Sequence, residues 1–154
     1  MSKAEENLAA KGFVLPRPSK AIGLYVPTVL SGKLLVVSGH GPLKADRTLM
    51  RGRVGEDVDL ATAIEAARIT ALNTLATVKK TLGDLDQVAR AVKVLGLVRA
   101  VSDFTEHPKV LDGFTGILRI AFGDAAGSPA RSAIGVASLP DRICVEVESM
   151  FEIL

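Results

Sequence analysis

The side chains best suited to chemistry lie near the carboxyl end of this chain. Arg131 opens a β-like segment just after Pro129, and Glu146 and Glu148 lie two residues apart in a later segment that alternates apolar and acidic residues. Such alternation places the glutamates on one face of a strand. A guanidinium binds a carboxylate through two hydrogen bonds, and a carboxylate accepts a proton from water. The pattern therefore predicts an anion-binding group and a base on rigid strands.

Each of these residues also has an ordinary structural interpretation. Arg131 could form an ion pair with Glu146, Glu148 or Glu152, because surface arginines are usually paired in this way. The glutamates could be solvated strand residues. Cys144 is predicted to point to the same strand face as the glutamates, and a lone cysteine of this kind is more often packed than nucleophilic. The residues alone leave these alternatives open.

The rest of the chain must supply the elements that position these side chains. Apolar residues at three- and four-residue steps predict a long helix over 59–82, capped by Asp57 or Asp59 and ended by Gly83. The remaining segments are predicted from apolar runs, caps and turn residues. They are a helix over 2–11, candidate strands over 22–26 and 33–38 with a turn at 31–32, a short strand near 49–52, a buried strand over 88–101, a helix over 108–122, and a closing hairpin over 128–154 that turns at 139–142.

The order strands, helix, strand, helix, strands predicts the fold class. It is typical of an α+β domain with one mixed, mainly antiparallel sheet and two helices packed on one face. The other face then needs a partner, and small residues such as Ala133 beside the acidic face suit a contact between subunits. We expect one domain over 1–154, with 1–18 as an amino-terminal extension and a core over about 22–152.

Composition argues against several classes of function. The chain has 19 basic and 17 acidic residues, a net charge of +2 and 4% aromatic residues, which does not indicate a nucleic-acid or membrane surface. The single Cys144 excludes an intramolecular disulfide, and the two histidines, His40 and His107, are too far apart to suggest a metal site. With no long apolar run and no signal-peptide core at its start, the chain is expected to be cytoplasmic.

Several sequence blocks together resemble the reactive-intermediate (enamine/imine) deaminase family, also called RidA or YjgF-like and formerly L-PSP endoribonuclease. The closing blocks are PARSA at 129–133, VASLP at 136–140 and VEVE at 145–148. The upstream blocks are GLYV at 23–26 and LVVSGHGP at 35–42. The resemblance implies a chorismate-mutase-like fold assembled as a homotrimer, with pockets between adjacent subunits.

The resemblance also implies roles for individual residues. Arg131 would bind the substrate carboxylate, Glu146 would hold the hydrolytic water, and Tyr25 would donate its hydroxyl to the substrate or the water. Ser38 and Gly39 would help to hold the substrate carboxylate through a hydroxyl and a backbone N–H. No cofactor or metal would be needed, because a protonated imine is already electrophilic.

The chain departs from the family pattern in several places. His40 stands where the family commonly has Gln, and it either tunes the pocket or is structural. Ala133 stands where many members carry Cys or Val, so only its backbone carbonyl can contact water. The family's pocket Asn has no clear counterpart, with Asp112 and Thr115 as candidates, and the amino-terminal helix is an addition. These departures suggest a divergent subgroup with its own substrate.

Three functions are compatible with these observations. The first is hydrolysis of reactive 2-imino or 2-enamino acids to 2-oxo acids and ammonia, which would limit metabolite damage. The second is a trimer that binds or senses small carboxylates such as 2-oxo acids without turnover. The third is RNA cleavage or translation inhibition, against which the balanced charge and the scarcity of aromatic residues argue.

Overall fold

The computed structural model describes residues 1–154 and contains three α-helices. They are α1 (Lys3–Ala9), α2 (Leu60–Leu82) and α3 (His107–Ala126). All three predicted helices are confirmed. The backbone of α3 leaves helical geometry at Gly123, close to its predicted end, and then adds one further turn.

The two best-defined helix starts follow from side-chain caps. Ser2 and Glu5 form a reciprocal capping box at α1, in which each side chain bonds the other residue's backbone N–H. Asp59 accepts a hydrogen bond from the Thr62 N–H at 2.8 Å at the start of α2. Gly83 follows the last turn of α2 with a positive φ, which ends the helix where the sequence predicts.

Five strands form one sheet in the order β1-β2-β5-β3-β4. They are β1 (Thr28–Ser31), β2 (Leu34–His40), β3 (Val88–Arg99), β4 (Ala130–Val136) and β5 (Val145–Ile153). Neighbouring strands are antiparallel except for β3 and β4, which are parallel. The predicted mixed, mainly antiparallel sheet is therefore confirmed.

Three strand predictions are wrong in detail. The closing hairpin does not form, because β3 lies between β4 and β5 and pairs with both. The parallel pairing of β4 requires a crossover, which α3 provides. No strand forms over 22–26, since the first strand starts two residues later, at Thr28. The segment near 49–52 makes only isolated bridges, through Leu49 and Arg51.

Helices α2 and α3 cover one face of the sheet and enclose an aliphatic core. A Cβ at Gly113 would overlap the Ile64 carbonyl oxygen, so this glycine lets α3 cross α2 at close range. The short α1 is tied to the end of α3, where the Asn7 amide donates to the Ala121 carbonyl at 3.1 Å. The core is built mainly from Ala, Val and Leu, with Phe114 and Phe151 as its largest side chains.

The second face of the sheet is not covered within the chain. It carries half-buried apolar residues between charged ones, and Ile134 on the edge strand is 45% exposed. The apolar residues of this face include Val36, Leu95, Leu97, Ile134 and Met150. None of the helices has both the length and the apolar composition that crossing a bilayer requires.

Candidate functional site

A cavity of ≈1200 Å³ lies beside β2 and the first half of β5. It brings together Tyr25, Ser38, Gly39, His40 and Glu146, which come from three separate stretches of the sequence. The cavity lies where the segment before β1 crosses the end of β2. Most of the predicted site residues therefore share one location.

Glu146 is the acidic group at the centre of this site. Its side chain and that of Glu148 both line the cavity, as their two-residue spacing predicts. Burial raises the pKa of the Glu146 carboxyl above its ordinary value, and the charge of Glu148 raises it further. No hydrogen bond offsets these two effects. The carboxylate is thus a better base than an ordinary surface glutamate, and its charge is not stabilised by the chain.

Gly39 makes room for this carboxylate. A Cβ at position 39 would overlap Glu146 Oε1 and would lie 3.0 Å from its Cδ. Any residue larger than glycine at position 39 would therefore displace the Glu146 side chain. The predicted role of Gly39 was a backbone contact with the substrate. The structure gives it a second role, which is to admit the Glu146 side chain.

Ser38 ties the tyrosine-bearing segment to the sheet. Its hydroxyl donates to the Val26 carbonyl at 2.7 Å, and its backbone N–H donates to the Pro27 carbonyl at 2.9 Å. Tyr25 precedes these two residues and is 48% exposed, with its ring against Gly23. Both donors of Ser38 are therefore used within the chain, where they hold the two residues that follow Tyr25 against β2, and Tyr25 itself lines the cavity.

His40 is held in place by hydrogen bonds on both ring nitrogens. Nδ1 lies 2.7 Å from the Ser38 carbonyl oxygen, and Nε2 lies 2.8 Å from the Thr77 hydroxyl on α2. An Nδ1–H tautomer satisfies both contacts, because the ring then donates to Ser38 and accepts from Thr77. Burial lowers the pKa of His40, so the neutral ring is favoured. The structure supports the structural alternative for this residue.

Arg131 lies outside the cavity and is bound to α3. Nη1 donates to Asp112 Oδ1 at 2.8 Å and to the Thr115 hydroxyl at 3.2 Å. Nη2 donates to the Pro108 carbonyl at 3.2 Å. The arginine therefore does form an ion pair, but with Asp112 rather than with one of the glutamates.

The sheet register explains why Arg131 and Glu146 are apart within one chain. Arg131 is paired with Val94, and Val94 is paired with Ser149 on the other side. Val94 and Ser149 are buried under the helices, so Arg131 points towards the helix layer. Glu146 alternates with the buried residues of β5 and points to the opposite face. Within a single subunit, the predicted pair does not form one site.

Two further residues behave as packing residues. Ala133 shares the helix-facing side of β4 with Arg131 and packs against the core. Cys144 precedes β5 and is fully buried in the core, so the prediction that it points with the glutamates is wrong. Burial raises the pKa of its thiol to about 11. No group of three or more His, Cys, Asp or Glu side chains is arranged to hold a metal ion.

The cavity also contains three cationic residues that the sequence did not single out. Arg17 and Lys20 belong to the extended segment after α1, and Arg47 belongs to the turn after β2. None of the ion pairs of the chain includes any of the three. The run of Arg, Pro, Ser and Lys at 17–20 could have indicated two of them. A segment with so few apolar residues does not contribute to the core, so its charged side chains are free for another role.

Known proteins of similar sequence and structure extend over nearly the whole chain. Protein TCP17 of Trypanosoma cruzi is 36% identical over 147 residues, which are 96% of this chain and 92% of that protein. A protein of Shewanella oneidensis MR-1, described as a "putative endoribonuclease", superposes with a TM-score of 0.94 at 29% identity, covering 99% of this chain and 100% of that one.

A more distant structure shares the fold. TdcF of E. coli, whose crystal structure contains bound serine, superposes with a TM-score of 0.62 at 19% identity, covering 92% of this chain and 97% of that one. The sequence profile of one family matches residues 5–146 of this chain. The chain therefore belongs to the family described as "YjgF/chorismate mutase-like, putative endoribonuclease", as the resemblance of its motifs predicts.

Proposed function

We propose that the protein hydrolyses reactive 2-imino acids, the tautomers of 2-enamino acids, to 2-oxo acids and ammonia. The observation that carries the proposal is the environment of Glu146. This carboxylate is half-buried in a cavity, its pKa is raised, and its charge is not satisfied by the chain. Such a group is suited to accept a proton from water near neutral pH.

The proton transfers of the reaction need only groups that the cavity contains. The oxygen of water adds to the imine carbon while Glu146 accepts a proton, and the electron pair of the C=N bond moves to nitrogen. Protonated Glu146 then returns its proton to the nitrogen of the carbinolamine. For a protonated imine, the C–N bond then breaks with its electron pair on nitrogen and ammonia leaves, while the hydroxyl passes its proton to the Glu146 carboxylate and the 2-oxo acid forms. Tyr25 lines the same cavity, and its hydroxyl can donate to the substrate or to the water.

A homotrimer would complete the site. The uncovered sheet face combines exposed and half-buried apolar residues, which is typical of a surface that contacts another subunit. In that assembly Arg131 of the partner subunit would approach the cavity from its edge strand and bind the substrate carboxylate bidentately. Serine bound to TdcF supports an amino-acid-sized ligand on this fold. A cytoplasmic location, where such imines arise, belongs to the same proposal.

The first experiment measures ammonia release from an imine generated in situ by an amino acid oxidase. The protein should accelerate it, and Arg131→Ala and Glu146→Gln should each abolish the acceleration. Mixing the two inactive variants should restore part of the activity, because some sites in mixed trimers would contain both native residues. Unchanged turnover by Arg131→Ala would refute the assignment, and no recovery on mixing would refute a shared site.

A second candidate is a trimer that binds 2-oxo acids without turnover. It is favoured by the cationic residues that line the cavity, Arg17, Lys20 and Arg47, since binding a carboxylate requires such cations but no proton transfer. A thermal-shift screen of small carboxylates separates the two functions. A raised Tm with no ammonia release in the first assay would favour the binder. RNA cleavage, which the family description mentions, is disfavoured by the balanced charge.

A further inference from the structure

The cavity is lined by both acidic and cationic residues. Glu146, on β5, is half-buried, whereas the cations Arg17, Lys20 and Arg47 are exposed, as are the acidic residues Asp141 and Glu148. We call Arg17, Lys20 and Arg47 the rim cations. Because none of them has an ion-pair partner within the chain, the rim can bind an anion without first breaking an internal contact.

The backbone at one rim cation is strained. Arg47 has a φ of +70°, in the left-handed region that glycine or asparagine usually occupies at such a turn. The turn is closed by bonds from the Arg47 N–H to the Lys44 carbonyl and from the Lys44 N–H to the Thr48 carbonyl. Asp141, the other cavity residue with a positive φ, has a value of +53°. Residues held in this region often cluster at ligand sites, and glycine would relieve the strain at Arg47.

Within a single chain, before a partner subunit completes the site, the cavity is also larger than a short imino acid. Its volume is ≈1200 Å³. Small-molecule sites usually measure about 300–1,000 Å³, and they enclose ligands far larger than a three-carbon acid. One carboxylate of the substrate already has a cationic ligand in the proposed function, namely Arg131 of the partner subunit. The rim cations are therefore available for a second anionic group at the far end of a longer substrate.

We propose that this site takes imino acids with a second carboxylate, and that Arg17, Lys20 and Arg47 bind that carboxylate. The inference rests on the proposed function for the identity of the reacting group. The anion preference of the rim, however, is a property of binding that can be measured without turnover. The two hypotheses can therefore fail separately.

The binding experiment compares two 2-oxo acids of equal chain length by titration calorimetry. 2-Oxoglutarate ends in a carboxylate, and 2-oxopentanoate ends in a methyl group. The wild-type protein should bind 2-oxoglutarate about tenfold more tightly, because several exposed charge pairs of modest strength add together. Equal affinities, or tighter binding of 2-oxopentanoate, would overturn the inference.

Variants of the rim cations test which residues cause this preference. Arg17→Gln, Lys20→Gln and Arg47→Gly should each reduce it, and the triple variant should abolish it while leaving 2-oxopentanoate binding unchanged. Arg47→Gly should also keep or raise the Tm, so that lost binding cannot be assigned to lost folding. Lys11→Gln is the matched control, since Lys11 is an exposed cation of the same terminal segment that does not line the cavity.

Turnover then distinguishes the two hypotheses. If the imines of glutamate and norvaline release ammonia equally fast and the triple variant is unchanged, the dicarboxylate inference fails and the deaminase proposal stands. If no imine is hydrolysed but the rim variants lose the preference for 2-oxoglutarate, the rim assignment stands and the deaminase proposal fails. If the triple variant loses both ligands equally, the rim binds the common carboxylate, and the inference is overturned.

Discussion

The surroundings of two partly buried glutamates shift the pKa values of their carboxyls in opposite directions. Glu5 in α1 accepts hydrogen bonds from Lys79 Nζ at 2.5 Å and from the Ser2 hydroxyl and N–H. The bond from Lys79 and then those from Ser2 lower the pKa of its carboxyl, although burial opposes them. Glu146 in the cavity has no such partner, and burial together with Glu148 raises the pKa of its carboxyl.

Glu5 therefore has the properties of a structural ion pair, whereas Glu146 has those of a reactive group. The chain stabilises the ionised form of Glu5, which fastens α1 to α2 and contributes to folding. At Glu146 the chain destabilises the ionised form. Binding of a proton or of a cationic ligand by this carboxylate is therefore more favourable than at an ordinary glutamate. A site that binds or reacts needs this unsatisfied group, and folding must tolerate it.

Substituting each glutamate by glutamine should give opposite results. Glu146→Gln should reduce imine hydrolysis by about 10³-fold, since it removes the base. Its stability at neutral pH should stay equal or rise. The folded-state pKa of Glu146 lies above the unfolded value, so the folded state binds more protons and loses stability as pH rises through that raised pKa. An ammonia-release assay measures the rate of hydrolysis, and urea unfolding measures the stability. A stable variant with full turnover would contradict the chemical role.

The second prediction moves Glu146 without changing its charge. Gly39→Ala should reduce hydrolysis by about 10²-fold, because the new Cβ displaces a carboxylate that must lie close to the attacking water. The matched control is Gly116→Ala, since a Cβ at that position of α3 meets no atom within 4 Å. The control should gain about 1 kcal/mol of stability with unchanged turnover. Equal turnover in the two variants would show that the place of Glu146 is unimportant.

Local signals were sufficient for most of the fold. The stripe of α2 and the Gly83 stop depend on residues close in sequence and are predicted correctly, and of the two candidate caps, Asp57 and Asp59, the structure uses Asp59. The pairing of the last two strands was not, because a turn between two β-like segments favours a hairpin. Whether β4 pairs with β5 or with β3 depends on where the crossover helix α3 places the start of β4 relative to the sheet. That position is set by long-range packing.

The same limit applies to the site. Tyr25, Ser38, Gly39 and Glu146 were predicted from family motifs, and they share one cavity. The hairpin would have placed Arg131 beside the glutamates of its own chain, and within one chain they are apart because β3 lies between β4 and β5. Arg17, Lys20 and Arg47 were missed because they lie in segments without periodicity, where spacing gives no information on direction.

The third prediction tests the structural glutamate. Glu5→Gln keeps the capping box, in which glutamine can replace glutamate, but it loses the charge that pairs with Lys79. We expect a loss of about 1 kcal/mol in the free energy of unfolding, with unchanged hydrolysis. Because the folded-state pKa of Glu5 is lowered, the loss should be present above its unfolded value and should vanish as pH falls through the folded one. A variant whose turnover falls with stability intact would place Glu5 in the chemistry.

The smallest effect concerns the neighbour of the catalytic base. Glu148→Gln removes the second cause of the raised pKa of Glu146 and leaves burial, the larger cause, in place. Hydrolysis falls in acid as Glu146 becomes protonated, so the acid limb of the rate profile should move to lower pH while the maximal rate stays the same. Lys80→Gln, on an exposed side of α2 away from the cavity, should leave the limb in place. If the limb moves to higher pH in Glu148→Gln, the group that titrates in the rate profile is not a carboxylate that Glu148 repels.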